Sequence, residues 1–106
     1  MSLEFHPVEN EQLICYSKRS TDGANVVVTV VNLDPNRTQA GFVTLNLSGL
    51  KIDPAVPYQA NDLLTGARYI WNGPRNFVEL NPASVPAHIF RLRRRVRNEN
   101  DFEYFD

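Results

Sequence analysis

The chain has 106 residues, which is room for one domain with one modest core. Apolar residues make up 42% and charged residues 22%, and a formal net charge of −1 gives no whole-chain field that would draw in nucleic acid or an anionic membrane. The single cysteine, Cys15, excludes an internal disulfide framework and a cysteine-based zinc site; it lies in an apolar run and reads as a buried, inert thiol.

Met1-Ser2-Leu3-Glu4 lacks the basic-then-apolar block of a secretory signal, so a cytoplasmic protein is expected. Asn36-Arg37-Thr38 and Asn46-Leu47-Ser48 match the glycosylation sequon, but carry little weight without such a signal.

Leu3 to Pro7 is a short extended piece ended by its proline, and Glu9 to Gln12 is a polar connection. Leu13 to Arg19 reads as a strand, with Leu13, Cys15 and Ser17 on one face and Ile14, Tyr16 and Lys18 on the other. Thr21 to Asn25 carries an Asp-Gly hairpin signal, which makes Val26 to Leu33 the antiparallel neighbour of that strand. Val26 to Leu33 is almost wholly apolar or β-branched, too short to span a membrane as a helix, and reads as a central strand. Asp34 to Arg37 is a turn.

Phe42 to Leu47 alternates, with Val43, Leu45 and Leu47 on one face. Ser48 to Pro57, with one glycine and two prolines, reads as a loop crossing between sheets. Tyr58 to Leu64 is a strand closed by Thr65-Gly66, and Arg68 to Trp71 is its hairpin partner. Asn72-Gly73-Pro74-Arg75 is the strongest turn signal in the chain. Phe77 to Leu80 is a strand with Val78 and Leu80 on one face; Asn81-Pro82 and Val85-Pro86 bracket a connection; His88 to Leu92 is the last strand. No 3.6-residue periodicity is long enough for a helix. Seven or eight short strands predict an all-β, two-sheet antiparallel sandwich over residues 3–97, followed by an acidic and aromatic tail at 98–106.

Arg91, Arg93, Arg95 and Arg97 share a strand face, with Arg94 beside them. Such a comb could bind phosphate or nucleic acid, but the acidic tail neutralises it locally, so a solvated edge and no nucleic-acid partner are expected. Catalytic signals are missing: no Gly-x-Ser-x-Gly, no phosphate-cradling loop and no His-Glu-x-x-His occurs. His6 and His88 make no zinc motif, and His88 reads as a hydrogen-bonded structural histidine. Asp62 and Asp34 read as caps of backbone amides. Tyr69 and Trp71 share a strand face beside the Asn72–Arg75 turn, with Phe77 on its far side; they either pack at the end of the core or form a sugar-stacking platform.

Four ordered blocks carry a resemblance: Val30 to Pro35, Asp62 to Gly73, Asn76 to Pro82 and Pro86 to Phe90. Together with Phe5-His6-Pro7 and Tyr16-Ser17-Lys18, they resemble the C-terminal domain of the α-1,4-glucan:maltose-1-phosphate maltosyltransferases of the α-amylase superfamily. The resemblance runs from about Phe5 to Leu92. It implies an all-β domain following a catalytic (β/α)8 barrel, in enzymes that transfer maltosyl units from maltose 1-phosphate to a growing α-glucan with retention. It places the catalytic carboxylates in the barrel and none in this chain. The residues themselves lead to an expectation of no cofactor and no metal. Met1-Ser2-Leu3 ahead of the match reads as an added start, hence an excised domain.

One feature of the residues themselves bears on a partner. Val26, Val28 and Val30 lie on one face of the central strand; Val27, Thr29, Val31 and Leu33 lie on the other, and Ile14 and Tyr16 oppose Leu13 and Cys15 on the neighbouring strand. A sheet apolar on both faces needs cover on both. Either face can be the outward one on sequence alone. The candidate docking residues are Ile14, Tyr16, Val27, Val31 and Leu33, facing the missing barrel, a second copy in a homodimer, or Phe102, Tyr104 and Phe105 of the tail. The expected function is a non-catalytic accessory domain of a maltosyltransferase. The alternatives are a module binding α-glucan through Tyr69 and Trp71, and an unrelated immunoglobulin-like interaction domain.

Overall fold

The computed structural model describes residues 2–22, 25–84, 87–97 and 103–105, with side chains as far as residue 93. The Gly23-Ala24 part of the expected hairpin turn, Val85-Pro86, and the side chains of Arg94, Arg95, Arg97, Phe102, Tyr104 and Phe105 lie outside the described residues.

The period-two patterns form strands, and the described residues contain no helix. The strands are β1 (Ser2–His6), β2 (Leu13–Arg19), β3 (Val26–Asn32), β4 (Gln39–Thr44), β5 (Tyr58–Asp62), β6 (Arg68–Trp71), β7 (Arg75–Leu80), β8 (Ala87–Arg97) and β9 (Glu103–Phe105). A large antiparallel sheet runs β1-β2-β3-β8-β5-β6, with β9 added to the far end of β8. A second sheet holds β4 and β7 alone. This is the expected two-sheet all-β fold, with one strand more than the eight expected at most. The hairpin pairings β2–β3 and β5–β6 form as anticipated.

The core lies between the sheets. Cys15, Val28, Val30, Tyr58, Ala60 and Phe90 of the large sheet meet Val43, Val78 and Leu80 of the small one. Buried polar ties then set the two sheets against each other. Asn32 Nδ2 donates to the Leu80 and Arg37 carbonyls, each at 3.0 Å. The Tyr58 hydroxyl donates to the Gly73 carbonyl at 2.7 Å and accepts from Asn76 Nδ2 at 2.9 Å. Gly73, at φ 68°, makes the abrupt passage from β6 to β7, a left-handed backbone that a side chain rarely adopts.

Four strands differ from the expectation, and β7 does so by opening at Arg75 instead of Phe77. β4 spans Gln39–Thr44 instead of Phe42 to Leu47. The alternating Leu45 and Leu47 are buried as their pattern implied, but Leu45 N–H bonds the Pro74 carbonyl and Leu47 N–H the Leu45 carbonyl, so they leave the ladder. With Leu50 and Ile52 they plug one end of the core from within the crossing loop. β5 stops at Asp62 because its carboxylate Oδ1 accepts the Leu64 and Thr65 amides at 2.9 and 3.3 Å, the expected cap. β8 runs well beyond Leu92, between β3 and β5, with β9 paired to its far end.

Candidate functional site

The small sheet covers only one face of the large one, and that asymmetry creates the first candidate surface. Side chains directly opposed across strands share a face. Ile14 opposes Val31, Tyr16 opposes Thr29, and Val27 opposes Arg91. All five candidate docking residues therefore stand on one face, the one turned away from the small sheet. Tyr16, Val27 and Val31 are half-buried, while Ile14 and Leu33 are exposed.

The face is larger than the sequence indicated. Phe5 opposes Tyr16, the two rings 5.9 Å apart, and is 67% exposed; Leu3 beside it is also exposed. Only the β1–β2 register brings them in, and a five-residue strand before a proline carries no signal of its partner. One cross-strand row of this face is basic: Lys18 lies between Leu3 and Val27, Arg91 between Val27 and Asn61, and Arg68 beyond Asn61.

The second surface is a groove of about 390 Å³ between the sheets, at the edge formed by β6 and β7. Tyr69 and Trp71 both point into it, but they do not form a platform together. Trp71 is 7% exposed, its ring 4.9 Å from Phe90 and perpendicular to Tyr58 at 6.2 Å. It packs in the core against Phe90 and Tyr58. Tyr69 is 43% exposed and stands edge-on to Phe90. The other sheet contributes Phe77, Val78 and Glu79 along the edge of β7, and His88 and Phe90 complete the lining; Phe77, 54% exposed, alternates with buried Asn76 and Val78 and packs its ring on Phe42. Phe77 had been visible only as an aromatic across the turn.

Two buried histidines complete the inventory. His88 Nδ1 lies 2.8 Å from Asp62 Oδ2, and its Nε2 lies 3.2 Å from the Glu79 carbonyl, so both ring nitrogens are engaged and neither is open to act as a base. Burial opposes charge on Asp62, but the bonds from His88, Leu64 and Thr65 outweigh it and hold the carboxyl below its ordinary range. His6 and Ser17 superficially resemble a base and its nucleophile, at 2.7 Å. The polarity is the reverse. His6 Nδ1 accepts the Asn46 amide, so Nε2 carries the hydrogen and donates it to a buried hydroxyl. Burial also pushes the Cys15 thiol up to about 12, far from the thiolate range. Among the described residues no group of three His, Cys, Asp or Glu is placed to hold a metal ion.

Comparison with known proteins gives a consistent picture. The family described as "GLGE, C-terminal" matches residues 5–92. An α-1,4-glucan:maltose-1-phosphate maltosyltransferase of Chlorobaculum tepidum is 44% identical over 79% of this chain and 12% of its own length. A Streptomyces coelicolor protein of the same name, numbered 2, is 44% identical over 88% of this chain and 14% of its own length. One from Myxococcus xanthus is 33% identical over 99% of this chain and 16% of its own length. The chain thus spans 12–16% of the length of these relatives. A crystal structure of an AmyP variant in complex with maltotriose shares the fold, with a TM-score of 0.55 at 21% identity over 83% of this chain and 16% of the other.

Proposed function

This chain belongs to the family described as GLGE, C-terminal, and we propose on that premise that it is the non-catalytic C-terminal accessory domain of a cytoplasmic α-1,4-glucan:maltose-1-phosphate maltosyltransferase. The observation that carries the reading is the family match over residues 5–92, in a chain that spans 12–16% of its relatives. The rest of the enzyme, with its (β/α)8 barrel and catalytic carboxylates, lies outside this segment. Retaining glycoside chemistry needs two carboxylates about 5–5.5 Å apart across the scissile bond. Among the described residues the buried carboxylate, Asp62, is committed to a histidine and to a turn.

The barrel packs on the open face of the large sheet. A contiguous apolar patch on a soluble domain marks an interaction surface more often than a decoration. Ile14, Leu33 and Phe5 stand out from that face, with Tyr16, Val27 and Val31 between them. β1 is both the first strand and the edge strand of the sheet, so chain arriving from a preceding barrel enters alongside Leu3 and Phe5.

The test compares two proteins carrying Phe5→Ser with Ile14→Ser. In the full-length parent enzyme the pair should lower the melting temperature and the release of phosphate from maltose 1-phosphate. In this chain alone, which should show no turnover, the same pair should leave the melting temperature almost unchanged. An unaffected parent enzyme would remove this face from consideration.

A further inference from the structure

The basic row of the open face does not stand alone. In the next row along β8, Arg93 opposes Gln59, which opposes Ile70. In the other direction Ile89 opposes Thr29, and Ala87 opposes Val31. The face is therefore divided into an apolar half around Ile14 and Val31 and a basic half that holds Lys18, Arg68, Arg91 and Arg93. Three of these cations are exposed, and Arg93 is half-buried. As far as residue 93, no Asp or Glu stands on this face of a strand; Glu4 and Asp62 belong to the other side, bonded to Asn46 and to His88. The chain has 11 basic and 12 acidic residues, so the segregation is one of placement and not of composition.

The basic half is also short of partners. The ion pairs among the described residues, Glu9–Arg75 and Asp62–His88, use none of its cations. Arg91 reaches Asn25 Oδ1 only at 3.5 Å, a weak contact. Two atoms of the same half, Asn61 Oδ1 and Arg93 Nε, are buried with no hydrogen-bond partner. Buried polar atoms are nearly always satisfied, so these two call for a polar surface laid over them. The nature of that surface is constrained. A phosphate backbone would meet the cations but leave Val27, Ile70 and the apolar half uncovered. A second copy of this face would bring the same cations and no carboxylate. A protein surface with carboxylates over one half and apolar side chains over the other answers both.

We propose that the barrel meets the basic half of the open face with a band of Asp and Glu carboxylates, paired to Lys18, Arg68, Arg91 and Arg93. The inference rests on the reading that the barrel docks on this face and adds the chemistry of the contact. A guanidinium fork gives a carboxylate two parallel hydrogen bonds, which fixes direction as well as distance. The apolar half supplies burial, and the charged half sets the register in which the domain sits.

The test is carbodiimide cross-linking of the full-length parent enzyme, which joins a lysine amine to a carboxylate paired with it and adds no spacer. Mass spectrometry should find Lys18 linked to an Asp or Glu of the region before this domain. Arg68→Lys and Arg91→Lys, which keep the charge, should each add a further link. Arg68→Gln with Arg91→Gln should lower the melting temperature of the parent by several degrees at low salt and by less at high salt, where the lost pairs are already screened. In this chain alone the same pair relieves repulsion between unpaired cations and should leave the melting temperature unchanged or raised. Absence of a link from all three positions, links only to carboxylates of residues 98–106, or an equal loss of stability in both proteins would each overturn the proposal. Binding of duplex DNA by the parent enzyme at physiological salt, abolished by the glutamine pair, would overturn it as well. If Phe5→Ser with Ile14→Ser still destabilises the parent in those cases, the docking stands and only its charge chemistry falls; if it does not, both fall.

Discussion

His6 donates its Nε2 hydrogen to Ser17 Oγ across 2.7 Å while its Nδ1 accepts the Asn46 amide hydrogen at 3.2 Å. The contact joins β1 to the loop that crosses between the sheets, and it requires a neutral ring. Burial lowers the His6 pKa from the ordinary 6.5, and the Glu4 carboxylate offsets part of that shift. The unfolded chain therefore binds a proton at a higher pH than the folded one. Stability from this group is complete above about 6.5 and drains away as pH falls through the lowered native value. Urea midpoints should drop between about pH 7.5 and pH 5.5, and His6→Gln should flatten that part of the profile. A native profile flat down to the carboxylate range would contradict the requirement for a neutral His6 ring.

Asn32 is the inter-sheet tie with the most to lose. Its amide group donates twice, and its oxygen accepts the Asp34 amide at 2.8 Å. Asn32→Leu should cost about 2–4 kcal/mol in chemical denaturation, because the partners stay behind without their bonds. Tyr58→Phe should cost less, about 1–2 kcal/mol, since Asn76 Nδ2 keeps its bond to the Gly73 carbonyl at 3.2 Å.

Val27 and Val28 are neighbours with opposite surroundings. Val28 is fully buried between the sheets, and Val27 lies half-buried on the open face. Val28→Ala should destabilise this chain by about 2 kcal/mol, and Val27→Ala by well under half of that. Equal losses would mean that something covers both faces in solution, and sedimentation would then distinguish a dimer from a monomer.

Cys15 should resist iodoacetamide in the native state at neutral pH and react only as the chain unfolds, because burial raises its pKa to about 12. Alkylation at a rate independent of urea would mean that β2 opens locally.

The sheet was legible wherever the residues alternated against one covered face. Val78 and Leu80, or Leu13, Cys15 and Ser17, read correctly because burial follows the pleat. Leu45 and Leu47 show where that logic stops: they are buried as a strand would bury them, yet their backbone amides bond elsewhere, and side-chain pattern carries no record of that. The doubled apolar pattern of β3 was legible as a need for cover, but its outward direction depended on where a two-stranded sheet came to rest. For Tyr69 and Trp71 the shared face was correct, while their different exposure depends on how each ring meets Phe90 and Tyr58, distant in sequence. The length of β8 was hidden because arginines every second residue look like a solvated edge.

β8 also sets the order in which this molecule can be made. It is flanked by β3 and by β5, and it follows both in the chain. Before it emerges from a ribosome the large sheet exists as two fragments, the β1–β3 meander and the β5–β6 hairpin, each with an unpaired inner edge. Pairing Val28 with Phe90 closes a loop that spans most of the chain, a long-range contact of the kind that slows folding. The nascent domain therefore carries open strand edges through nearly its whole synthesis. Crowded polysomes, more than the finished protein, are where it is most exposed to mispairing with its own copies.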